Sequence, residues 1–188
     1  MMTQQPKYYR DLLDRLLEQD NTDSHQQRLQ VLRDKFYYRG PAHFDQEDQL
    51  VVPGDFYCRN NQLTSLAGAP VKVGGWFDCS NNQLTSLEGA PVKVGRDFYC
   101  YHNPLTSLEG IPRSINGIFS ITVNATTPLL KILTVEGITE FYFLKHNTHD
   151  RMPELESLFK EFYGRGARGR LLCGIEMLKM GYKRNTGR

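Results

Sequence analysis

The sequence predicts an α+β solenoid, with short parallel strands stacked as successive coils, an irregular convex side, and helical caps at both ends. Three observations predict it. A block of residues recurs with a constant spacing of 21: Phe56, Phe77 and Phe98, Cys58, Cys79 and Cys100, Asn61, Asn82 and Asn103, Leu63, Leu84 and Leu105, Pro70, Pro91 and Pro112. Such a period is the signature of a quasi-one-dimensional repeat architecture. Within the block, Phe-x-Cys alternates with the period of a strand, so Phe and Cys share one face. Both flanks carry apolar residues at helical spacing instead.

At the N-terminus, Tyr9, Leu12, Leu13, Leu16 and Leu17 fall on one helical stripe. Ser24 and Gln27 have capping-box spacing and predict the start of a second helix. That helix carries Leu29, Leu32 and Phe36 and stops before Gly40-Pro41. Coils then run from Leu50, where Leu50, Val52 and Gly54 match Val71, Val73 and Gly75. Ile115, Phe119, Ile121 and Asn124 continue the register, and Thr126 stands where Leu is expected. Leu129 to Phe143 is read as a degenerate coil or two that closes the core. Pro153 suits the first turn of a helix with Leu155, Leu158, Phe159 and Phe162 inward and Gly164 at its end. A last helix holds Leu171, Leu172, Ile175 and Leu178 and stops at Gly181. The predicted division is residues 1–49 as N-terminal cap, 50–148 as solenoid, and 149–188 as C-terminal cap with a basic tail.

The unit reads V-x-G-x-F-x-C-x-x-N-x-L-T-S-L-x-G-A-P, and Phe77 to Leu87 spell Phe-Asp-Cys-Ser-Asn-Asn-Gln-Leu-Thr-Ser-Leu. This resembles the leucine-rich-repeat pattern L-x-L-x-x-N-x-L, above all the short repeats of bacterial and phage proteins that read LDCSNNQLTSL. The lead-in Val73-Gly74-Gly75-Trp76 departs from it, because a Leu more often stands three residues before the strand. The stretch from Gly164 to Tyr182 resembles the tail that follows such repeats in phage proteins. The resemblance implies a binding solenoid and makes a phage or bacterial origin the expected setting.

Composition is that of an ordinary globular protein. No apolar run approaches the roughly 20 residues of a membrane span, and no secretory signal opens the sequence, so the expected location is cytoplasmic (host cytoplasm if phage-encoded), with no membrane partner. The four cysteines Cys58, Cys79, Cys100 and Cys173 are expected to be reduced core thiols, since free Cys packs as a small hydrophobe and no C-x-x-C pair or His cluster supports zinc. The asparagine series is expected to satisfy backbone groups at each coil's turn, with Asn60 and Asn81 more exposed. Net charge is +2, yet residues 163–188 carry seven basic side chains against Glu176 alone. Polyanion binding is therefore confined to the tail, with Arg165, Arg168, Arg170, Lys183 and Arg184 as its candidate contacts.

Residues that interleave with the inward Phe and Cys point out of the concave sheet: Asp55, Tyr57 and Arg59, then Trp76, Asp78 and Ser80, then Asp97, Tyr99, Tyr101 and His102. They vary between coils while the consensus around them is tight, which frees them for a ligand. Aromatic residues among them are what protein interfaces concentrate. The expected partner-binding set is Tyr57, Arg59, Trp76, Asp78, Asp97, Tyr99, Tyr101 and His102. The histidines His25, His43, His102, His146 and His149 form no catalytic or metal signature, so no catalytic residue, metal or cofactor is expected. The sequence thus points to a non-catalytic protein-binding module, with nucleic-acid binding through the tail, or a structural role in virion assembly, as rivals.

Overall fold

The repeat closes into a parallel β-solenoid of about four turns, in a computed structural model that describes residues 5–124, 127–146 and 148–180, and the backbone alone at residues 5–14, 16 and 17. Its strands are β1 (His43–Phe44), β2 (Leu50–Val52), β3 (Phe56–Tyr57), β4 (Lys72–Val73), β5 (Phe77–Asp78), β6 (Lys93–Val94), β7 (Phe98–Tyr99), β8 (Ser114–Ile115), β9 (Ile118–Val123) and β10 (Glu140–Lys145). They form two sheets, β1-β2-β4-β6-β8 (sheet A) and β10-β9-β7-β5-β3 (sheet B). All pairs are parallel except β1 with β2.

Sheet A is a departure from the expected irregular convex side. Its rungs are the Val-x-Gly lead-ins, with Val52, Val73, Val94 and Ile115 in register and buried. Alternation over only two residues is too short to stand out as a strand in the sequence. Stacked 21 residues apart, however, each lead-in finds its ladder partners in the next coil.

Sheet B has the expected register. Phe56, Phe77, Phe98 and Phe119 are paired successively and fully buried. Their rings stack at 5.5, 5.3 and 5.8 Å between centroids. Cys58, Cys79 and Cys100 form a second buried file, and Leu66, Leu87 and Leu108 a third. At each turn an asparagine reaches between coils. Asn82 accepts the N–H groups of Asn61 and Leu63 and donates to the carbonyls of Cys58, Cys79 and Ser80. Asn103 accepts from Leu84 and donates to Cys79 and Cys100. Asn60 and Asn81, one position earlier, are exposed as expected and take positive φ, a conformation asparagine tolerates better than most residues.

The N-terminal segment is one helix, α1 (Gln5–Asp34), not two. The capping-box spacing at Ser24 is a local signal. No glycine or proline interrupts the chain there, and i,i+4 contacts bridge the expected break, with Thr22 bonded to the Glu18 carbonyl and Gln19 to Asp23. Leu32 and Phe36 enter the core, where Phe36 meets Phe56 edge-on at 5.6 Å. The side chains of Tyr9, Leu12, Leu13, Leu16 and Leu17 lie outside the described residues, as does Thr126.

Beyond β9, a 3-10 helix (Leu129–Thr134) and β10 make the degenerate last coil, with Leu129, Ile132, Leu133, Phe141 and Phe143 buried. Helix α2 (Pro153–Phe162) starts with proline in its first turn and buries Leu155, Phe159 and Phe162, as predicted, while Leu158 packs against the core half-buried. Helix α3 (Gly166–Lys179) overturns the expected face. Gly169, Cys173 and Met177 are buried, whereas Leu171, Leu172, Ile175 and Leu178 are exposed. Small residues decide it. A side chain at Gly169 would meet the Phe162 carbonyl, and Gly174 lies against Leu130, so α3 approaches on its small side, where backbones pack closest. Gly181 lies outside the described residues. Among those described, no helix is long and apolar enough to cross a membrane.

Candidate binding face

The outward side of sheet B gathers most of the residues singled out by the repeat. Because the strands are parallel and in register, equivalent residues of successive coils lie side by side, about 4.8 Å apart. One outward row runs Tyr57, Asp78, Tyr99, Ser120, Tyr142. A second, two residues earlier in each coil, runs Asp55, Trp76, Asp97, Ile118, Glu140. A third, two residues later, runs Arg59, Ser80, Tyr101, Thr122, Leu144. Tyr57 and Trp76 are the most open aromatics of the face, at 45 % and 36 % exposure, and their rings meet edge-on at 6.5 Å. Tyr99 and Tyr101 make a second edge-on pair at 6.3 Å.

Three of the outward acids are held by the chain itself, contrary to the expectation that structure leaves these positions free. Asp55 accepts the backbone N–H of Trp76 at 2.9 Å and the Tyr57 hydroxyl at 3.1 Å. Asp97 repeats the arrangement two coils on, accepting from Ile118 at 2.8 Å and from Tyr99 at 2.7 Å. Burial, then the Asp97 carboxylate, pushes the Tyr99 phenol well above its usual range. Each aspartate needs glycine in the next coil, since a Cβ at Gly75 or Gly117 would stand 2.0 or 2.2 Å from its Oδ1. Trp76 replaces aspartate in the coil between, and there Arg96 takes the glycine's place.

Asp78 and Ser80 also correct the sequence reading, being buried at 3 % and 0 % exposure rather than open. Asp78 accepts the backbone N–H and hydroxyl of Ser80, and the exposed Arg59 lies 3.6 Å away. Tyr142 carries no repeat signal and joins the face because β10 pairs one residue out of the 21-residue step. The Arg151 guanidinium sits 3.7 Å over its ring and pairs with Glu156.

His102 sits at the margin of the face, half-buried. With His146, His149, Asn81, Asn103, Pro104 and Thr122 it lines a cavity of about 300 Å³. Asn81 Oδ1 lies 2.8 Å from its Nδ1, the His149 ring is 4.1 Å away, and its Nε2 has no hydrogen-bond partner. Burial, helped by His149, lowers its pKa. Among the described residues no group of three or more His, Cys, Asp or Glu is arranged to hold a metal ion.

The basic candidates are scattered. Arg165 and Arg168 are exposed, Arg165 over the Phe162 ring, and Arg170 is half-buried. Lys183 and Arg184 lie outside the described residues. The four cysteines are unpaired and fully buried, and burial raises the thiol pKa of each, that of Cys173 to about 11. Since the thiolate is the reactive form, none of the four is expected to react with a thiol reagent at pH 8 in the native state, and all four on denaturation. A thiol titration with and without guanidinium checks this; rapid native labelling of any file cysteine would contradict the core.

Protein-family models, curated proteins and solved structures were compared with this chain, and none matches.

Proposed function

We propose that this chain is a leucine-rich-repeat binding module, capped by helices at both ends, that holds a partner protein against the outward face of sheet B without catalysing a reaction. The observation that carries the reading is the pair of exposed rings, Tyr57 and Trp76, side by side on a rigid ladder. Aromatic side chains on ordered strands present large contact area with little rotamer entropy to lose, which is why interface hot spots favour them. The likeness of the repeat to bacterial and phage units supports an accessory protein that acts on a host factor as the setting. The tail offers a weaker case for nucleic acid, because the exposed side of α3 beyond Arg170 is apolar, unlike a surface that tracks phosphates.

Affinity capture from bacterial lysate tests the proposal, with the wild type beside a Tyr57→Ala, Trp76→Ala, Tyr99→Ala variant whose unfolding curve shows it still folded. A protein held by the first and lost from the second is the expected result. Equal capture by both, or capture only of nucleic acid that salt removes, would move the binding site away from this face.

A further inference from the structure

The two outward rows nearest the start of sheet B form a chequerboard of charge and ring. Asp55, Trp76 and Asp97 stand in one row and Tyr57, Asp78 and Tyr99 in the next, in the register set by Tyr57 against Asp78 and Asp78 against Tyr99. Along each row and across the rows, carboxylate alternates with aromatic ring. We propose that this patch recognises cationic side chains, so that the partner presents a lysine- or arginine-rich segment to it; the inference rests on the reading of this face as the binding surface.

Three features support that chemistry. First, adjacent strands are about 4.8 Å apart, and a cation is drawn to a ring within about 6 Å of its centroid. A cation above Trp76 therefore lies beside Asp55 and Asp97, the exposed and half-buried acids of its row, whereas Asp78 is buried and is reached only by a cation that takes the place of Arg59. Second, the acids are fixed but not neutralised. Asp55 and Asp97 are held by neutral donors, a backbone N–H and a tyrosine hydroxyl each, so their orientation is set without an ion pair among the described residues. Third, the described residues put two exposed arginines at the patch, Arg59 and Arg96, and of these Arg59 is paired with a carboxylate. Arg59 lies 3.6 Å from Asp78, beyond hydrogen-bond contact, with its side chain 57 % exposed. The lysines of the neighbouring rungs, Lys72 and Lys93, belong to sheet A. Arg59 thus stands where a partner's cation would compete for Asp78.

The test is fluorescence anisotropy with labelled peptides of repeating Arg-Gly-Ser, Lys-Gly-Ser and Glu-Gly-Ser, at low salt and again with salt added. The two cationic probes are expected to bind, less tightly as salt screens the charges, and the glutamate probe not at all. Asp78→Asn keeps an oxygen for the Ser80 donors and removes the charge; it is expected to weaken the cationic probes roughly tenfold. Arg59→Ala, at an exposed position, is expected to tighten them by removing the competitor. Cationic probes that bind no better than the glutamate probe, or an Arg59→Ala variant that weakens them, would overturn the inference. If a lysate protein is lost with the three aromatic rings but is indifferent to Asp78→Asn and to salt, the face still binds and the cationic partner is wrong. If cationic probes bind the three-ring variant as tightly as the wild type, this patch is not their site and the inference falls, while capture of a lysate protein that is lost with the three rings still decides the reading of the face.

Discussion

Phe77→Ala is expected to destabilise the protein by about 3–5 kcal/mol, the range for removing a large buried ring from a packed core. Phe77 is fully buried in the middle of the file, between Phe56 and Phe98, so the substitution opens a cavity and removes two stacked contacts at once. Each such contact is worth about 0.5–1.5 kcal/mol beyond area burial. Its neighbours are tied into their own ladders and have little freedom to collapse into the space. In a solenoid each coil touches only the coils beside it, so a weak rung divides the array into two short halves. Urea unfolding is then expected to show a lower midpoint together with a shallower slope. A loss below about 1 kcal/mol with the slope unchanged would mean that the ring file carries little of the stability.

Asn82→Ala is expected to cost about 3–5 kcal/mol by another route, since a buried donor or acceptor stripped of its partner costs about 1–3 kcal/mol. The carboxamide serves two N–H groups of the coil's turn and three carbonyls. Some of these have second partners: the Ser80 carbonyl also accepts from Asn60, and that of Cys79 from Asn103. The Leu63 N–H and the Cys58 carbonyl are the groups most exposed to the loss. Asn82→Asp sharpens the test, because it sets a second oxygen against the three carbonyls in place of the donor. Burial there favours the protonated acid, so the folded-state pKa of the new carboxyl lies above its unfolded value. The variant should therefore be most stable below the unfolded pKa and lose stability as pH rises through the folded one. Thermal melts of both variants across pH, with the exposed Asn81→Ala as control, check the assignment. Equal losses at Asn81 and Asn82 would refute the ladder.

Much of this was legible because the repeat reports itself. A side chain that recurs every 21 residues in the same chemical type is fixed by its neighbours above and below, so Phe, Cys, Leu and Asn files could be read directly. What failed were positions where the environment is not repeated. Strand alternation and variation between coils make Asp78 and Ser80 look open, but neither signal says how deeply a side chain is buried once the coils stack. Asp55 and Asp97 recur two coils apart, a period hidden beneath the shorter one. In α3 the large apolar residues marked the wrong side, because Gly169 and Gly174 permit a closer approach than any leucine. The join at Ser24 failed for a simpler reason: a capping pair begins a helix only where the chain before it is not helical already.

The alternation of aspartate and tryptophan along the face sets how this array can grow. The third coil cannot follow itself. Repeated alone, it would place its own Arg96 beneath the carboxylate of Asp97, where the natural successor has Gly117 and even a Cβ comes too close. Coils two and three copied together bring Gly75 to that place and return Arg96 beneath Trp76. The unit of duplication that leaves every contact of the face intact is thus the pair of coils, and lengthening by pairs would extend the chequerboard without changing its pattern.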